Sequence, residues 1–201
     1  KLIKEFIVGR AADRVGLVIF AGEAYTRVPP TLDHPVLLNN LAQVTTSENI
    51  KIGTAIGVAL ANSVARLQES KAKTRVIVLL TDGESNTGTI DPLTALKIVK
   101  QYGIRIYTVG IGRNGQAKLP RFQKDPFGRT IKSYQPIHSK VNENLLNQLA
   151  TETGGKYYRA VHTNELANAF RDIDHLEKSK IEISQLTKSK ELFEEFVLAA
   201  A

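Results

Sequence analysis

The chain has 201 residues, of which 42% are hydrophobic and 23% are charged, and this is the composition of an ordinary globular protein of about one domain. It excludes disorder, collagen-like structure and a coiled coil as descriptions of the whole chain, and the absence of cysteine excludes disulfides, thiolate metal sites and cysteine nucleophiles. The net charge of +7 suits an acidic protein, a nucleic acid or an anionic lipid as partner, and it also serves solubility alone.

The first third of the chain predicts both helices and strands. Val15–Phe20 is a continuous apolar run, which predicts a strand that is buried on both faces. Two prolines after Val28 are expected to end a short second strand, and Asp33 is placed to cap the helix that follows. The elements predicted here are a helix within 1–8, strands over 15–20 and 24–28, and helices over 33–44 and 54–67.

The rest of the chain continues this alternation, with one exception described below. The predicted elements are strands over 75–80, 104–111 and 156–161, and helices over 91–103, 142–152 and 163–178. Buried strands separated by helices indicate an α/β fold, a doubly wound and mostly parallel sheet with helices on both faces. We expect the domain to span 1–178, followed by a C-terminal extension over 179–201.

The stretch 117–140 has no helical period and interrupts the alternation. Asp125–Arg129 is typical of a turn, so the stretch predicts a hairpin or long loop inserted before the next helix. It mixes basic with aromatic residues, namely Lys118, Arg121, Phe122, Lys124, Phe127, Arg129, Lys132 and Tyr134. The pattern favours an amphipathic hairpin with inward aromatic side chains. The alternative is a basic surface over 118–132 that binds anionic lipid or nucleic acid.

Asp82 and Thr54 are polar residues at the ends of predicted elements. Doubly wound sheets bind ligands in the loops after the carboxyl ends of their strands. Asp82 comes directly after the 75–80 strand, and its carboxylate suits a hard cation such as Mg²⁺. The ordinary alternative is a turn aspartate that accepts hydrogen bonds from local backbone N–H groups. Thr54 begins a predicted helix, where it is either an N-cap or a metal ligand.

No catalytic motif occurs in the sequence, so we do not expect an enzyme. Gly110–Gly115 has the spacing G-x-G-x-x-G, but a dinucleotide-binding motif opens a helix, and the residues that follow show no helical pattern. The four histidines have no zinc-binding spacing. Neither a nucleophile elbow nor a P-loop is present.

Four segments, taken in order, resemble the von Willebrand factor A domain. They are 13–20, Gly53–Gly57, Val76–Gly83 with its terminal Thr-Asp-Gly, and Tyr107–Gly112. Within that family the chain is similar to the bacterial aerotolerance-type Bat proteins, closest to BatA. The segments that carry this finer similarity are Phe20–Tyr25, Thr153–Ala160, Ile173–Lys178 and Glu191–Phe193. The family implies the doubly wound fold and a non-enzymatic role in protein interaction.

The resemblance also implies a metal-ion-dependent adhesion site. In such a site a D-x-S-x-S motif at the end of the first strand joins a threonine and an aspartate to hold Mg²⁺ or Mn²⁺, and an acidic side chain of a partner protein completes the coordination. The matching residues here are Thr54 and Asp82. No D-x-S-x-S motif occurs in the 201 residues. We therefore expect the family's first central strand to be missing and the site to be partial, or without metal, in this chain.

The resemblance further implies a parent protein anchored in a bacterial membrane, with this domain on the extracytoplasmic side. The apolar residues Phe196–Ala201 fit the start of a membrane segment. The implied partners are other Bat-type proteins or a MoxR-type AAA+ ATPase, in stress tolerance or complex assembly, and not a nucleic acid. Because a missing central strand leaves sheet edges unpaired, we also expect self-association, a swapped segment or a rearrangement to fill the gap.

Overall fold

The computed structural model describes residues 1–45, 51–112, 115–124, 130–139 and 141–178. The helices are α1 (Leu2–Val8), α2 (His34–Ala42), α3 (Ile56–Leu67), α4 (Pro92–Gln101), α5 (Glu143–Thr151) and α6 (163–178). The strands are β1 (Val15–Phe20), β2 (Ala24–Thr31), β3 (Val76–Thr81), β4 (Arg105–Ile111), β5 (Gly115–Lys124), β6 (Thr130–Ser139) and β7 (Tyr157–Ala160). Each predicted helix and strand has a counterpart, with ends that differ by a few residues.

A parallel sheet of order β3–β4–β7 lies at the centre of the described molecule. Helices α3, α4 and α5 cover one face with the core residues Ile56, Leu60, Leu96, Val99, Leu146 and Leu149. On the other face, Ile173 of α6 and Phe6 of α1 pack with Tyr107 and Val109 of β4. The predicted α/β fold, with helices on both faces of a parallel sheet, is confirmed.

Helices α2, α4 and α5 begin where the sequence provides a side chain to cap them. The Asp91 carboxylate accepts hydrogen bonds from the backbone N–H groups of Leu93 and Thr94, at 2.9 and 3.1 Å. Asp33 caps α2 and Asn142 caps α5 in the same way. Such a side chain satisfies N–H groups that the helix itself leaves without partners, which fixes the start of each helix.

A separate antiparallel ribbon is formed by β1 and β2. The prediction that β1 is buried on both faces is wrong, because none of its six residues is fully buried. The predicted end of β2 is also wrong, since the strand continues through Pro29 and Pro30 to Thr31. Proline is compatible with an edge strand, where one side of the backbone needs no partner, and among the described strands β2 pairs only with β1.

Between β1 and β3 the described sheet is interrupted. Neither strand pairs with the other, and residues of both line one cavity of about 940 Å³. We call this cavity the β1–β3 cleft. Its lining includes Val18 of β1 and Val78 of β3. The expected rearrangement that would close the gap is therefore wrong for the described residues. Occupation of the gap by a swapped segment or by a neighbouring molecule stays a prediction.

The inserted stretch contains an antiparallel pair, β5 with β6. The pairing runs from Gly115 opposite Ser139 to Lys124 opposite Thr130. Phe127 and Arg129, and the whole extension over 179–201, lie outside the described residues. Within the described residues, none of the helices has the length and apolar character needed to span a bilayer.

Candidate functional site

The carboxyl ends of β1 and β3 meet at one rim of the molecule. Just before α3, the Ala55 N–H donates to the carbonyl of Ala21, which follows β1, at 2.7 Å. One residue earlier, the Thr54 N–H donates to Asn86 Oδ1 in the loop after β3, at 2.9 Å. Because one short segment contacts the residues after both strands, β1 and β3 end on the same side and run in the same direction.

Thr54 is held by its backbone in this rim. Its carbonyl accepts from the Asn86 N–H at 3.2 Å and from the Ser85 hydroxyl at 3.4 Å. The N-cap of α3 is Ala55, whose side chain makes no capping hydrogen bond. The interpretation of Thr54 as an N-cap is therefore wrong. Thr54 is half-buried and lies one residue before this N-cap.

Asp82 lies in the same rim, on the loop that leaves β3. Its side chain is exposed, and the residue directly before it, Thr81, is buried. The next residue, Gly83, packs so closely that a Cβ atom at this position would lie 3.0 Å from Thr54 Oγ1. The structure thus brings together the two loops that carry the predicted metal ligands, and the threonine hydroxyl lies beside the residue after the aspartate.

Gly53, the residue before Thr54, also allows the two loops to lie close together. Gly53 has a φ of +134°, which side-chain-bearing residues rarely adopt. A Cβ atom there would lie 2.3 Å from Thr87 Cγ2. A substitution at Gly53 would therefore strain the backbone and push the 82–87 loop away from Thr54.

The residues of the rim match a divalent metal in chemistry but not in number. The Thr54 hydroxyl and the Asp82 carboxylate are oxygen donors of the kind that Mg²⁺ prefers. Mg²⁺ requires six ligands in near-octahedral geometry. The part of the chain that the structure describes contains no group of three or more His, Cys, Asp or Glu side chains placed to hold a metal ion. The described residues alone supply at most part of a metal site.

Asn86 positions Thr54, a role that the sequence alone does not predict. Asn86 bonds to the Thr54 backbone through both its side chain and its own N–H. The run Gly-Glu-Ser-Asn after β3 indicates a polar loop. Nothing in this run shows that the amide reaches a residue 32 positions earlier in the chain.

A second polar cluster that the sequence did not reveal lies at the opposite end of the sheet. Glu177 of α6 is 2% exposed, and its Oε1 accepts from Arg105 Nη1 and from the Tyr107 hydroxyl, both at 2.5 Å. Burial raises the pKa of Tyr107, and the hydrogen bond to the Glu177 carboxylate raises it further. Arg105 and Tyr107 belong to the first half of β4, so this cluster secures α6 to the sheet and is remote from the rim.

Comparison with known proteins identifies the family of the chain. A family model described as the von Willebrand factor type A domain matches residues 1–173. The structure of an aerotolerance-related membrane protein from Bacteroides fragilis is 30% identical, with a TM-score of 0.66 over 85% of this chain and 83% of that chain. The structure of BatB from Bacteroides thetaiotaomicron is 27% identical, with a TM-score of 0.69 over 88% and 85%.

One curated relative covers the chain from end to end. An uncharacterized protein of Borreliella burgdorferi is 28% identical over 201 residues, which are 100% of this chain and 57% of that protein. A second curated relative is matched over 48% of its length. The chain thus spans about half the length of the curated relatives it matches.

Proposed function

The chain belongs to the von Willebrand factor type A family, and from this premise we propose that it is a non-enzymatic protein-interaction domain with part of a metal-ion-dependent adhesion site. Thr54 and Asp82 are the ligands that this chain contributes. The metal is Mg²⁺ or Mn²⁺, and the partner is a protein that offers an acidic side chain. We assign the remaining protein ligands to a D-x-S-x-S segment of the parent protein, because this motif does not occur in the 201 residues.

One observation carries this proposal, namely the contact between the Thr54 and Asp82 loops at the rim. The Thr54 hydroxyl lies against Gly83, and the Thr54 backbone is hydrogen-bonded to Asn86. Two oxygen donors 28 positions apart in the sequence are thereby held on adjacent loops at the carboxyl ends of parallel strands. In open α/β sheets, ligands bind in this place.

The chemistry of a hard cation supports an acidic partner. Mg²⁺ and Mn²⁺ prefer oxygen ligands, and a carboxylate combines an oxygen donor with a negative charge. The exposure of Asp82 leaves the rim accessible to a second protein. A cation with an open position there recognises an aspartate or glutamate directly, and this recognition needs no catalytic group.

The similarity to an aerotolerance-related membrane protein and to BatB supports a setting for this function. We propose a bacterial parent protein of the Bat type, closest to BatA, that is anchored in the membrane with this domain on the extracytoplasmic side. Its role is in stress tolerance or complex assembly, and its partners are other Bat-type proteins or a MoxR-type AAA+ ATPase.

Thermal unfolding with and without millimolar Mn²⁺ tests the metal site. The measurement uses the 201-residue chain and the longer parent protein. A ligand that binds only the folded state stabilises it by RT ln(1 + [L]/Kd), which is about 2.7 kcal/mol at a hundredfold excess over Kd. We expect Mn²⁺ to raise the melting temperature of the longer protein and to leave that of the 201-residue chain unchanged.

Two variants of the longer protein make the test specific. Asp82→Asn removes the negative charge of one proposed ligand and is expected to abolish the Mn²⁺ shift. Glu69→Gln removes the same charge from an exposed position just beyond the far end of α3 and is expected to retain it. The absence of any Mn²⁺ shift in the longer protein, or an equal shift in its Asp82→Asn variant, would contradict the proposed site.

A further inference from the structure

Almost all of the net positive charge of the chain lies in the segment that contains β5 and β6. Residues 113–140 include seven Lys or Arg residues and one acidic residue, Asp125, so this segment carries +6 of the total net charge of +7. Within the described strands, β5 and β6 contain four basic residues and no acidic residue. A concentration of one charge in a single segment attracts a partner of the opposite charge.

The pairing register of β5 with β6 gathers basic and aromatic residues on one face of the β5–β6 pair. Phe122 lies opposite Lys132, and Lys124 lies opposite Thr130. Directly opposed residues share a face, as does every second residue along each strand. We call this the basic face, and it carries Lys118, Phe122, Lys124, Lys132 and Tyr134. The expected amphipathic arrangement, with basic and aromatic residues on separate faces, is therefore wrong for these residues.

Prolines blunt the outer edges of both strands. Pro120 lies opposite Tyr134, and Pro136 lies opposite Lys118. Because proline has no N–H group to donate, it fits the pairs whose backbone groups point away from the partner strand. The outer edge of each strand therefore lacks a donor there, which disfavours pairing with another chain. A partner is then recognised by a face of the β5–β6 pair and not by strand addition.

Both ends of the β5–β6 pair lie close to the rim. Gly110 of β4 is opposite Thr81, the residue before Asp82, and β5 begins five residues after Gly110. After β6, Val141 packs against β4, since a Cβ atom at Gly110 would lie 2.9 Å from Val141 Cγ1. At about 3.4 Å per residue, each ten-residue strand is about 30 Å long. The pair thus starts beside the proposed metal ligands and is long enough to contact a protein that occupies the rim.

The position beside the rim favours an acidic protein over other anionic partners. The protein that we propose for the rim offers a carboxylate to the metal, so the surface around that carboxylate is the nearest partner for the basic face. Protein interfaces combine aromatic residues at their centre with charged residues at their periphery. The basic face has this composition, with Phe122 and Tyr134 among three lysines.

We propose that the basic face binds an acidic segment of the partner protein, with carboxylates beside the lysines and an apolar side chain on Phe122 and Tyr134. This inference rests on the acidic protein partner proposed above. It adds a second contact that needs no metal and is made by this chain alone. The partner is therefore expected to present a segment that is both acidic and apolar, and not a single carboxylate.

Binding of synthetic peptides to the 201-residue chain tests the proposal. The probes are poly-glutamate of ten residues, the length of β5, and the same peptide with leucine at its two central positions. EDTA is present, so that metal binding plays no part. We expect the leucine peptide to bind about threefold tighter or more, because apolar burial adds to the ion pairs. Attraction by net charge alone predicts the reverse order, and that order would overturn the proposal.

Matched lysine variants show whether the basic face is the binding surface. Lys118→Gln/Lys132→Gln should weaken binding of both peptides about fivefold or more, whereas Lys71→Gln/Lys73→Gln, which removes the same charge from exposed positions, should change it by less than about twofold. A melting temperature equal to that of the unmodified chain shows that a variant is folded. If the first double variant does not fold, Lys132→Gln is compared with Lys73→Gln. Equal losses in the matched variants would show attraction by net charge alone and would count against the proposal.

Two neighbouring residues of β6 distinguish the two faces. Tyr134→Ser removes an aromatic ring from the basic face and should abolish the advantage of the leucine peptide, while the affinity for poly-glutamate stays the same. Gln135→Ser changes the next residue, which lies on the opposite face, and should retain the advantage. An advantage that persists in Tyr134→Ser would contradict the role of the aromatic residues.

Other anions decide between the remaining kinds of partner. Oligothymidylate of the same length and vesicles that contain phosphatidylglycerol are compared with the peptides at one salt concentration, because electrostatic binding depends on it. Oligothymidylate that binds more tightly than the leucine peptide, and loses this in Lys118→Gln/Lys132→Gln, would assign the basic face to single-stranded nucleic acid. Binding to vesicles but to neither peptide would assign it to a membrane, and either result overturns the proposal. Because all of these tests use EDTA, their outcome is independent of the Mn²⁺ test.

Discussion

Strands β1 and β4 both have the mainly apolar sequence that is typical of a central strand, but they differ in burial. The five interior residues of β4 are fully buried, although this strand includes the polar Thr108. In β1, which is apolar throughout, no residue is fully buried. The difference lies in their neighbours, since among the described strands β4 has one on each side and β1 has one on a single side. The sequence of β1 is more apolar than its observed burial requires. This excess indicates a neighbouring element that the described residues do not supply.

The largest expected effect tests this difference directly with one substitution in each strand. Ile106→Ala in β4 removes a side chain that is 0% exposed, and we expect it to lower the free energy of unfolding by about 2–5 kcal/mol. Ile19→Ala in β1 removes a partly buried side chain and should cost roughly 1–2 kcal/mol, because less apolar area is lost. Urea-induced unfolding of both variants measures the two losses. Equal losses would show that the ribbon is packed as tightly as the parallel sheet.

The sequence predicts local elements better than their burial. The apolar run of Val15–Phe20 identifies β1 correctly, but its burial depends on strand neighbours that a local pattern does not contain. Pro29 and Pro30 predict a strand end, and β2 continues because it is an edge strand. In both β1 and β2, the observed structure depends on the position of the strand in the sheet, which the local sequence pattern does not contain.

The candidate site shows the same limit. The family resemblance implies that Thr54 and Asp82 share a metal site, and the structure brings their loops together. The role of Asn86 as the support of Thr54 could not be predicted, because a hydrogen bond across 32 positions depends on the folded loops. The Glu177 cluster was likewise missed, since the last turn of α6 looks like an ordinary exposed helix end in the sequence.

The next largest expected effect on stability compares a tyrosine of the parallel sheet with a tyrosine of the ribbon. Tyr107→Phe removes the hydroxyl that donates to Glu177, and we expect it to lower the free energy of unfolding by about 1–2 kcal/mol at pH 7. Tyr25→Phe in the ribbon, where the side chain is 48% exposed, should change it by less than about 0.5 kcal/mol. Chemical denaturation at pH 7 measures both. Similar values for the two variants would contradict the assignment of Glu177 as an anchor of α6.

The same pair of variants predicts how stability changes at high pH. Because burial and Glu177 raise the pKa of Tyr107 in the folded protein, the unfolded chain ionises first as the pH rises above about 10. The folded state then loses stability, by up to about 1.4 kcal/mol for each pH unit from this residue. Tyr107→Phe should reduce the slope of stability against pH above 10. The control Tyr25→Phe separates this effect from a general loss of stability at high pH, which would leave the slope of Tyr107→Phe unchanged.

The smallest expected effect compares an ion pair in each region. Lys156 Nζ lies 2.6 Å from Asp172 Oδ2 on the covered face of the parallel sheet, whereas Lys51 and Glu23 beside the ribbon are 3.4 Å apart and more exposed. Hydrogen bonds from Lys156 and then from Tyr158 lower the pKa of Asp172. Its stabilising contribution is therefore present above the unfolded pKa of about 3.9 and is lost as the pH falls further towards the folded pKa. Both partners are partly exposed, so solvent screening keeps the contribution below about 1 kcal/mol.

Asp172→Asn should thus destabilise the protein by a few tenths of a kcal/mol at pH 7 and by less below pH 4, whereas Glu23→Gln should have no measurable effect at either pH. The measurement is chemical denaturation at pH 7 and pH 3 of the two variants, together with Lys156→Gln and the Asp172→Asn/Lys156→Gln double variant. If the effects of the two single substitutions simply add, the ion pair contributes nothing to stability. The hydrogen bond from Tyr158 alone then accounts for the stabilising contribution of Asp172. If they do not add, the Lys156–Asp172 ion pair stabilises the covered sheet. Its contribution is then larger than that of the longer, screened Lys51–Glu23 contact beside the ribbon. Polar contacts would then follow the same rule as apolar burial, because both depend on how completely neighbouring elements exclude water.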